Sequence, residues 1–147
     1  MRIGIGSDHR GYRHKEVLKS FLSELGHDVH DYGTHSEESC DYPDFAIPLA
    51  RDVASGKIER GILICNTGIG MCITANKVKG VYAALVTTPE TAESARRHNN
   101  SNVLVMGASL NTPDEMKNMV DIWLRTPFEG GRHERRINKI KSLENEN

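Results

Sequence analysis

The feature that most narrows the fold is an alternation. Short β-rich runs, closed by glycine or polar turns, are separated by amphipathic stretches long enough for a helix, from Arg2 to the basic tail. Such an order is produced by βα units laid on a parallel sheet. The pattern predicts strands over Arg2–Ser7, His27–Asp31, Gly61–Cys65, Val81–Val86 and Val103–Met106. Gly61-Ile62-Leu63-Ile64-Cys65 is continuously apolar, the mark of a strand buried on both faces. Between the strands, Val17, Leu18, Phe21, Leu22 and Leu25 form a helical stripe that Gly26 should end. Further helices are expected over Phe45–Ala54, with Pro48 in the first turn, and over Gly68–Val78, closed by Gly80. Pro89–Arg97, Pro113–Leu124 and a C-terminal helix over residues 132–143 complete the set, with Ser142–Asn147 frayed. Right-handed crossovers then give an α/β fold, a three-layer αβα sandwich on a five-stranded parallel Rossmann-like sheet.

A chain of 147 residues makes one domain, so residues 1–147 are read as a single unit whose C-terminal helix carries a basic motif. Its 19 Lys+Arg against 20 Asp+Glu leave a net charge of -1, which supplies no global field for nucleic acid or an anionic membrane. No apolar run approaches the roughly 18 residues that span a bilayer, and the N-terminus reads as a strand, so a cytoplasmic protein is expected. The three cysteines, Cys40, Cys65 and Cys72, form no CxxC pair and fit free thiols in a reducing compartment.

In an open α/β sheet, ligands bind beyond the carboxyl ends of the strands. The turns there are Ser7-Asp8-His9 and Cys65-Asn66-Thr67-Gly68-Ile69-Gly70. The second combines a thiol, a hydroxyl and a helix N-terminus set between two glycines, so an oxyanion can approach the backbone closely. A thiol so placed is expected to have a lowered pKa, suited to a nucleophile or a general base. The competing reading is a strand cysteine packed as a small apolar residue, and the Thr-Gly-x-Gly that follows favours chemistry.

Familiar motifs fail informatively. A dinucleotide fingerprint from Gly68-x-Gly70 needs glycine where Ile73 stands, and one from Gly4-x-Gly6 needs glycine where His9 stands. There is no Walker loop, and a cysteine phosphatase loop from Cys65 needs arginine where Met71 stands. No HExxH or paired-Cys spacing appears, so a metal site is not expected.

His98-Asn99-Asn100 precedes the fifth strand, at the opposite end of the sheet from Cys65. His98 either stabilises a helix C-terminus or acts chemically. If it acts with Cys65, the site must be shared between two subunits, which predicts a homo-oligomer. Gly130-Gly131-Arg132-His133-Glu134-Arg135-Arg136 places Arg132 and Arg136 on one helix face near its N-terminus, where cations oppose the dipole. An anion to bind explains that choice; a solvated basic face continuing through Lys139 and Lys141 is the alternative.

Together these residues closely resemble the type B ribose-5-phosphate isomerases, in the group that also holds the galactose-6-phosphate isomerase subunits. The resemblance covers nearly the whole chain. It rests on Gly6-Ser7-Asp8-His9, Asp41-Tyr42-Pro43, Cys65 to Gly70, Ala75-Asn76-Lys77, His98-Asn99 and Gly130-Gly131-Arg132-His133-x-x-Arg136. It implies a metal-free and cofactor-free aldose–ketose isomerase of a small phosphorylated sugar. It also implies a homodimer with active sites at the interface, alone or as a dimer of dimers. By resemblance, Cys65 is the base between C1 and C2, the amides of Gly68, Ile69 and Gly70 hold the cis-enediolate, and Thr67 holds the reacting oxygens. His98, with Asp8, opens the furanose. His9, Arg132, His133 and Arg136 are implied phosphate ligands, and Tyr42 and Asn99 sugar contacts.

Two positions depart from the family pattern. Asn66 stands where glycine is usual, and Ser109 where many members carry an arginine that reaches the phosphate. The pocket is therefore expected to accept a different or longer sugar phosphate, such as allose 6-phosphate, or to hold ribose 5-phosphate less tightly. A non-catalytic sugar-phosphate-binding subunit is the reading from another class, but it needs neither the thiol nor the histidine. A redox-sensing thiol protein fits less well, since Cys65 has no evident resolving partner.

Overall fold

The continuously apolar segment becomes β3 (Arg60–Cys65), the central strand. Its side chains alternate between two layers, Ile62 and Ile64 joining a core with Leu18, Met116 and Trp123, and Leu63 and Cys65 joining one with Leu49, Met71 and Val105. The computed structural model describes residues 1–146. Around β3 stand β1 (Arg2–Ser7), β2 (Asp28–Asp31), β4 (Ala83–Leu85) and β5 (Val103–Gly107) in the order β2-β1-β3-β5-β4, every pairing parallel. The helices are α1 (Tyr12–Glu24), α2 (Pro43–Ser55), α3 (Ile69–Asn76), α4 (Pro89–Arg97), α5 (Pro113–Arg125) and α6 (Arg132–Asn145). The first core takes residues from α1, α4 and α5, the second from α2 and α3. The expected αβα sandwich is therefore the observed one. From β1 the chain moves outward to β2 and returns past β1 to β3, so the strand order reverses between β1 and β3. Their carboxyl ends flank the crevice where doubly wound sheets bind ligands. No helix among the described residues is long and apolar enough to cross a membrane.

Gly4 and Gly61 are register partners on adjacent strands. A Cβ on Gly61 would stand 2.4 Å from Leu49 Cδ2, and one on Gly4 2.8 Å from the Tyr32 ring. The pair is thus a bare floor on which α2 sits close to the sheet, which is the task of a Gly4-x-Gly6 that makes no dinucleotide fingerprint.

The structure corrects several boundaries. α2 starts at Pro43, so Pro48 lies in its interior instead of its first turn. α3 stops at Asn76 because that side chain leaves the helix to exchange hydrogen bonds with the Ala83 backbone, its Oδ1 accepting at 2.9 Å and its Nδ2 donating at 3.0 Å. β4 is correspondingly short. Val17 and Leu25 of the α1 stripe are exposed, while Lys15 on that helix is fully buried. Residues 142–145, expected to fray, belong to α6, where Glu144 accepts the Gly80 N–H at 3.0 Å. Asn147 lies outside the described residues.

Lys15 is sheltered because its ammonium meets Asp31 at 2.7 Å, and Asp31 in turn accepts the Gly33 N–H at 2.8 Å and meets Lys19 at 3.0 Å. Burial alone would raise the Asp31 carboxyl, but Lys15, the Gly33 N–H and Lys19 outweigh it and hold it below the usual carboxylate range. Lys15→Met is expected to cost about 2–3 kcal/mol, a Tm drop of roughly 5–10 °C, because Asp31 keeps only its other partners. A carboxyl lowered in the folded state contributes stability above its unfolded pKa and loses it as pH falls through the folded value. The deficit measured by thermal denaturation should therefore shrink in acid; an unchanged Tm at neutral pH would mean the pair contributes nothing net.

Candidate active site

The turn between β3 and α3 is built by local rules. Gly68 caps α3 at φ +84°, a left-handed conformation that a side chain would strain. A Cβ there would also stand 2.4 Å from Leu85 Cδ1. With the chain so turned, the Gly68 N–H donates to Cys65 Sγ at 3.1 Å and the Ile69 N–H to Thr67 Oγ1 at 3.3 Å. The first helical turn leaves the Gly70 and Met71 N–H groups without intrahelical partners, the kind of helix start that can receive an anion. Cys65 is buried, 5% exposed, beneath this cradle.

The neighbouring loops close around it. The Tyr42 ring lies on Gly70, where a Cβ would come within 2.5 Å of the ring, so this glycine is needed for the tyrosine to cover the turn. Gly107 abuts Thr67 in the same way, with 2.7 Å from its Cβ position to the Thr67 carbonyl carbon. After β1, Asp8 Oδ1 accepts the N–H groups of Arg10 and Gly11 at 3.0 and 3.1 Å, shaping the turn that presents His9. His9 Nδ1 accepts the Cys40 N–H at 3.3 Å, a tie across 31 residues that no motif signals. Ser109 donates its hydroxyl to the Asn66 carbonyl at 2.7 Å and its N–H to the same oxygen at 2.9 Å. The two departures from the family pattern are therefore joined to each other.

Asp8, His9, Tyr42, Cys65, Thr67, Gly68, Ile69 and Gly70 thus gather at the carboxyl edge of the sheet. The remaining candidates do not. His98 caps the C-terminus of α4, five residues before β5 begins at the opposite edge. There its ring stacks on that of His133, centroids 4.3 Å apart and planes 16° from parallel. Asn99 is exposed beside it, and Arg132 and Arg136 extend from α6 into solvent. Burial, then the charges of His98 and Arg132, push the His133 imidazole below the usual histidine range, with Glu129 acting the other way. His98, Glu129 and His133 each offer a donor atom within 4.8 Å of the others, yet stacked rings aim their lone pairs side by side. The sequence reading missed Glu129, whose contacts with Arg97 and His98 are made by folding, although His133 lies only four residues on.

The chain therefore carries two separate candidate clusters: a thiol at a glycine-lined turn, and a cationic histidine-bearing edge. The class this defines is the doubly wound α/β fold with a thiol-bearing turn at the carboxyl edge of its sheet. The sequence pattern of the ribose/galactose isomerase family matches residues 3–140, and the chain belongs to that family. It is 41% identical to ribose-5-phosphate isomerase B of Escherichia coli, over 97% of this chain and 96% of that one. The fold superposes on ribose-5-phosphate isomerase B of Clostridium thermocellum with a TM-score of 0.98 at 46% identity, covering 99% of each chain. The Mycoplasma genitalium ribose-5-phosphate isomerase B, solved with bound ribulose 5-phosphate, matches at TM-score 0.95 and 45% identity over 99% of this chain and 97% of that one.

Proposed function

We propose that the protein interconverts ribose 5-phosphate and ribulose 5-phosphate by cysteine-based proton transfer. The observation that carries the reading is Cys65 Sγ seated in the turn, accepting the Gly68 N–H at 3.1 Å. In the open-chain aldose, the Cys65 thiolate removes the proton from C2. The carbonyl oxygen gathers the charge, and the amides around Gly68, Ile69 and Gly70 hold the cis-enediolate with Thr67. The proton returns at C1 as the C2 hydroxyl gives up its own to O1, which leaves the ketose. His98 opens the furanose, with Asp8 assisting from the other half-site, and no metal or cofactor is required. Tyr42 and Asn99 contact the sugar. His9, Arg132, His133 and Arg136 hold the phosphate, whose binding energy orients the reacting end.

Both half-sites are completed by a second copy, giving a homodimer with two sites at the interface, or a dimer of such dimers. Ile69 and Ile73, one turn apart on α3 and both more than half exposed beside the cradle, support a second copy there. The free thiols Cys40, Cys65 and Cys72 suit the reducing cytoplasm. Nucleic acid and membrane are not partners in this reading.

A second reading stands on Ser109. Its hydroxyl folds back onto the backbone, so this position lends no cation to the clamp, which favours a longer substrate such as allose 6-phosphate. The purified protein in EDTA is expected to turn over ribose 5-phosphate and to lose activity on thiol alkylation. Preference for the six-carbon substrate in direct competition would move the reading to hexose phosphates. Binding of both without turnover would identify a non-catalytic sugar-phosphate subunit.

A further inference from the structure

The His98–His133 stack has a third member that the proposed mechanism does not use. Glu129 places Oε2 at 3.2 Å from His133 Nε2 and 3.9 Å from His98 Nε2. Its Oε1 accepts from two nitrogens of Arg97, at 2.7 and 3.1 Å, and its backbone N–H donates to the Arg97 carbonyl at 3.1 Å. Backbone and side chain are thus both tied to the last turn of α4, the turn that carries His98. Arg97 is itself steadied by Glu93 at 3.0 Å. The result is a carboxylate with one oxygen committed to a guanidinium and the other turned to two imidazoles.

The charges around it give it a definite task. From α4 it faces Arg97 and His98, and from α6 His133, on which Arg132 and Arg136 also act. Glu129 is the acid that offsets these cations at the rings. Arg97 holds its carboxyl below the usual range, so it stays ionised wherever the histidines titrate. The buried Nε2 of His133 lies close to Oε2 but off the line of a hydrogen bond, so the carboxylate acts on both rings by charge and is not consumed by either.

We propose that Glu129 is a positioning residue for ring opening: it ties the end of α4 to the segment that carries His133 and so keeps the stacked histidines in place. The proposal rests on the ring-opening role assigned to His98 above. As the C1–O4 bond of the furanose breaks, O4 takes a proton from His98 and the anomeric hydroxyl releases its own to water. The imidazole then regains a proton from solvent, so the step is neutral overall.

Histidine ring NMR of the full-length protein and of Glu129→Ala tests this, with His98→Asn used to assign the signals. The ring protons of His98 and His133, displaced by the stacked partner ring, are expected to move to the positions of unstacked histidines in the alanine variant, and Glu129→Asp should recover at least half of that change. In assays with ribose 5-phosphate, the alanine variant should lose about tenfold in kcat, with the aspartate variant again recovering part of the loss. Ring signals that stay where they are, or a loss of rate with the stack intact, overturns the proposal. The ring spectrum needs no substrate, so failure of the wild-type protein to turn over ribose 5-phosphate would remove the substrate assignment and leave the spectrum to decide the role of Glu129.

Discussion

Replacing Cys65 with alanine should take turnover to background, a loss of roughly 10²–10⁴-fold, while ribose 5-phosphate still binds. The reasoning starts from what the thiol touches. Its sulfur accepts one amide of a turn that opens a helix, and in the proposed reaction charge develops beside it as a C–H proton leaves. The proposed phosphate contacts lie elsewhere and would be made equally in ground and transition states, so removing the proposed base should lower kcat and spare binding. The packing cost should be small. Cys65 occupies the second core beside Leu63 and Val105, and deleting one sulfur there costs about 1 kcal/mol, a Tm change of roughly 2–4 °C. Isothermal titration calorimetry with ribose 5-phosphate, together with a thermal melt, separates the cases. Joint loss of binding and folding would assign Cys65 to the core and not to the chemistry.

How much of this was legible depends on how local the cause is. The turn from Cys65 to Gly70 could be read directly because a strand end, a helix start and two glycines are consecutive in sequence, and each imposes its own geometry. The separation of His98 from Cys65 was readable too, since a residue that precedes a parallel strand must lie at that strand's amino edge. Features made by distant partners were hidden. The end of α3 is set by Asn76 bonding Ala83, and the short β4 follows from the same exchange. Lys15 sits on the apolar stripe of α1 because Asp31, on the neighbouring β2, neutralises it there. Tyr42 was picked out only through the resemblance, and its contact with Gly70 depends on how the loop before α2 crosses the turn after β3. Glu129 gave no signal at all, because Arg97 and His98 are 32 and 31 residues away in sequence.

Mixing two inactive variants should restore activity. Cys65→Ala lacks the thiol but keeps the histidine edge, and His98→Asn lacks the histidine but keeps the thiol. If each site takes its cradle from one subunit and its histidine from the other, a heterodimer of the two variants has one site with both defects and one with neither. Random exchange at equal concentrations makes about half of the dimers mixed, so one site in four is native and activity should recover to about a quarter of the wild-type rate. A site contained in a single subunit yields no recovery at any mixing ratio, because every site then lacks one group or the other. The expectation follows from topology: Cys65 closes β3 at one edge of the sheet, and His98 precedes the residues that open β5 at the other, with the core layers between them. Recovery near a quarter, with its maximum at equal mixing, would establish that the two half-sites of one protomer serve two different active sites. It would also give the exposed Ile69 and Ile73 their occupant, since the subunit that brings His98 to the cradle must cover the α3 surface beside it.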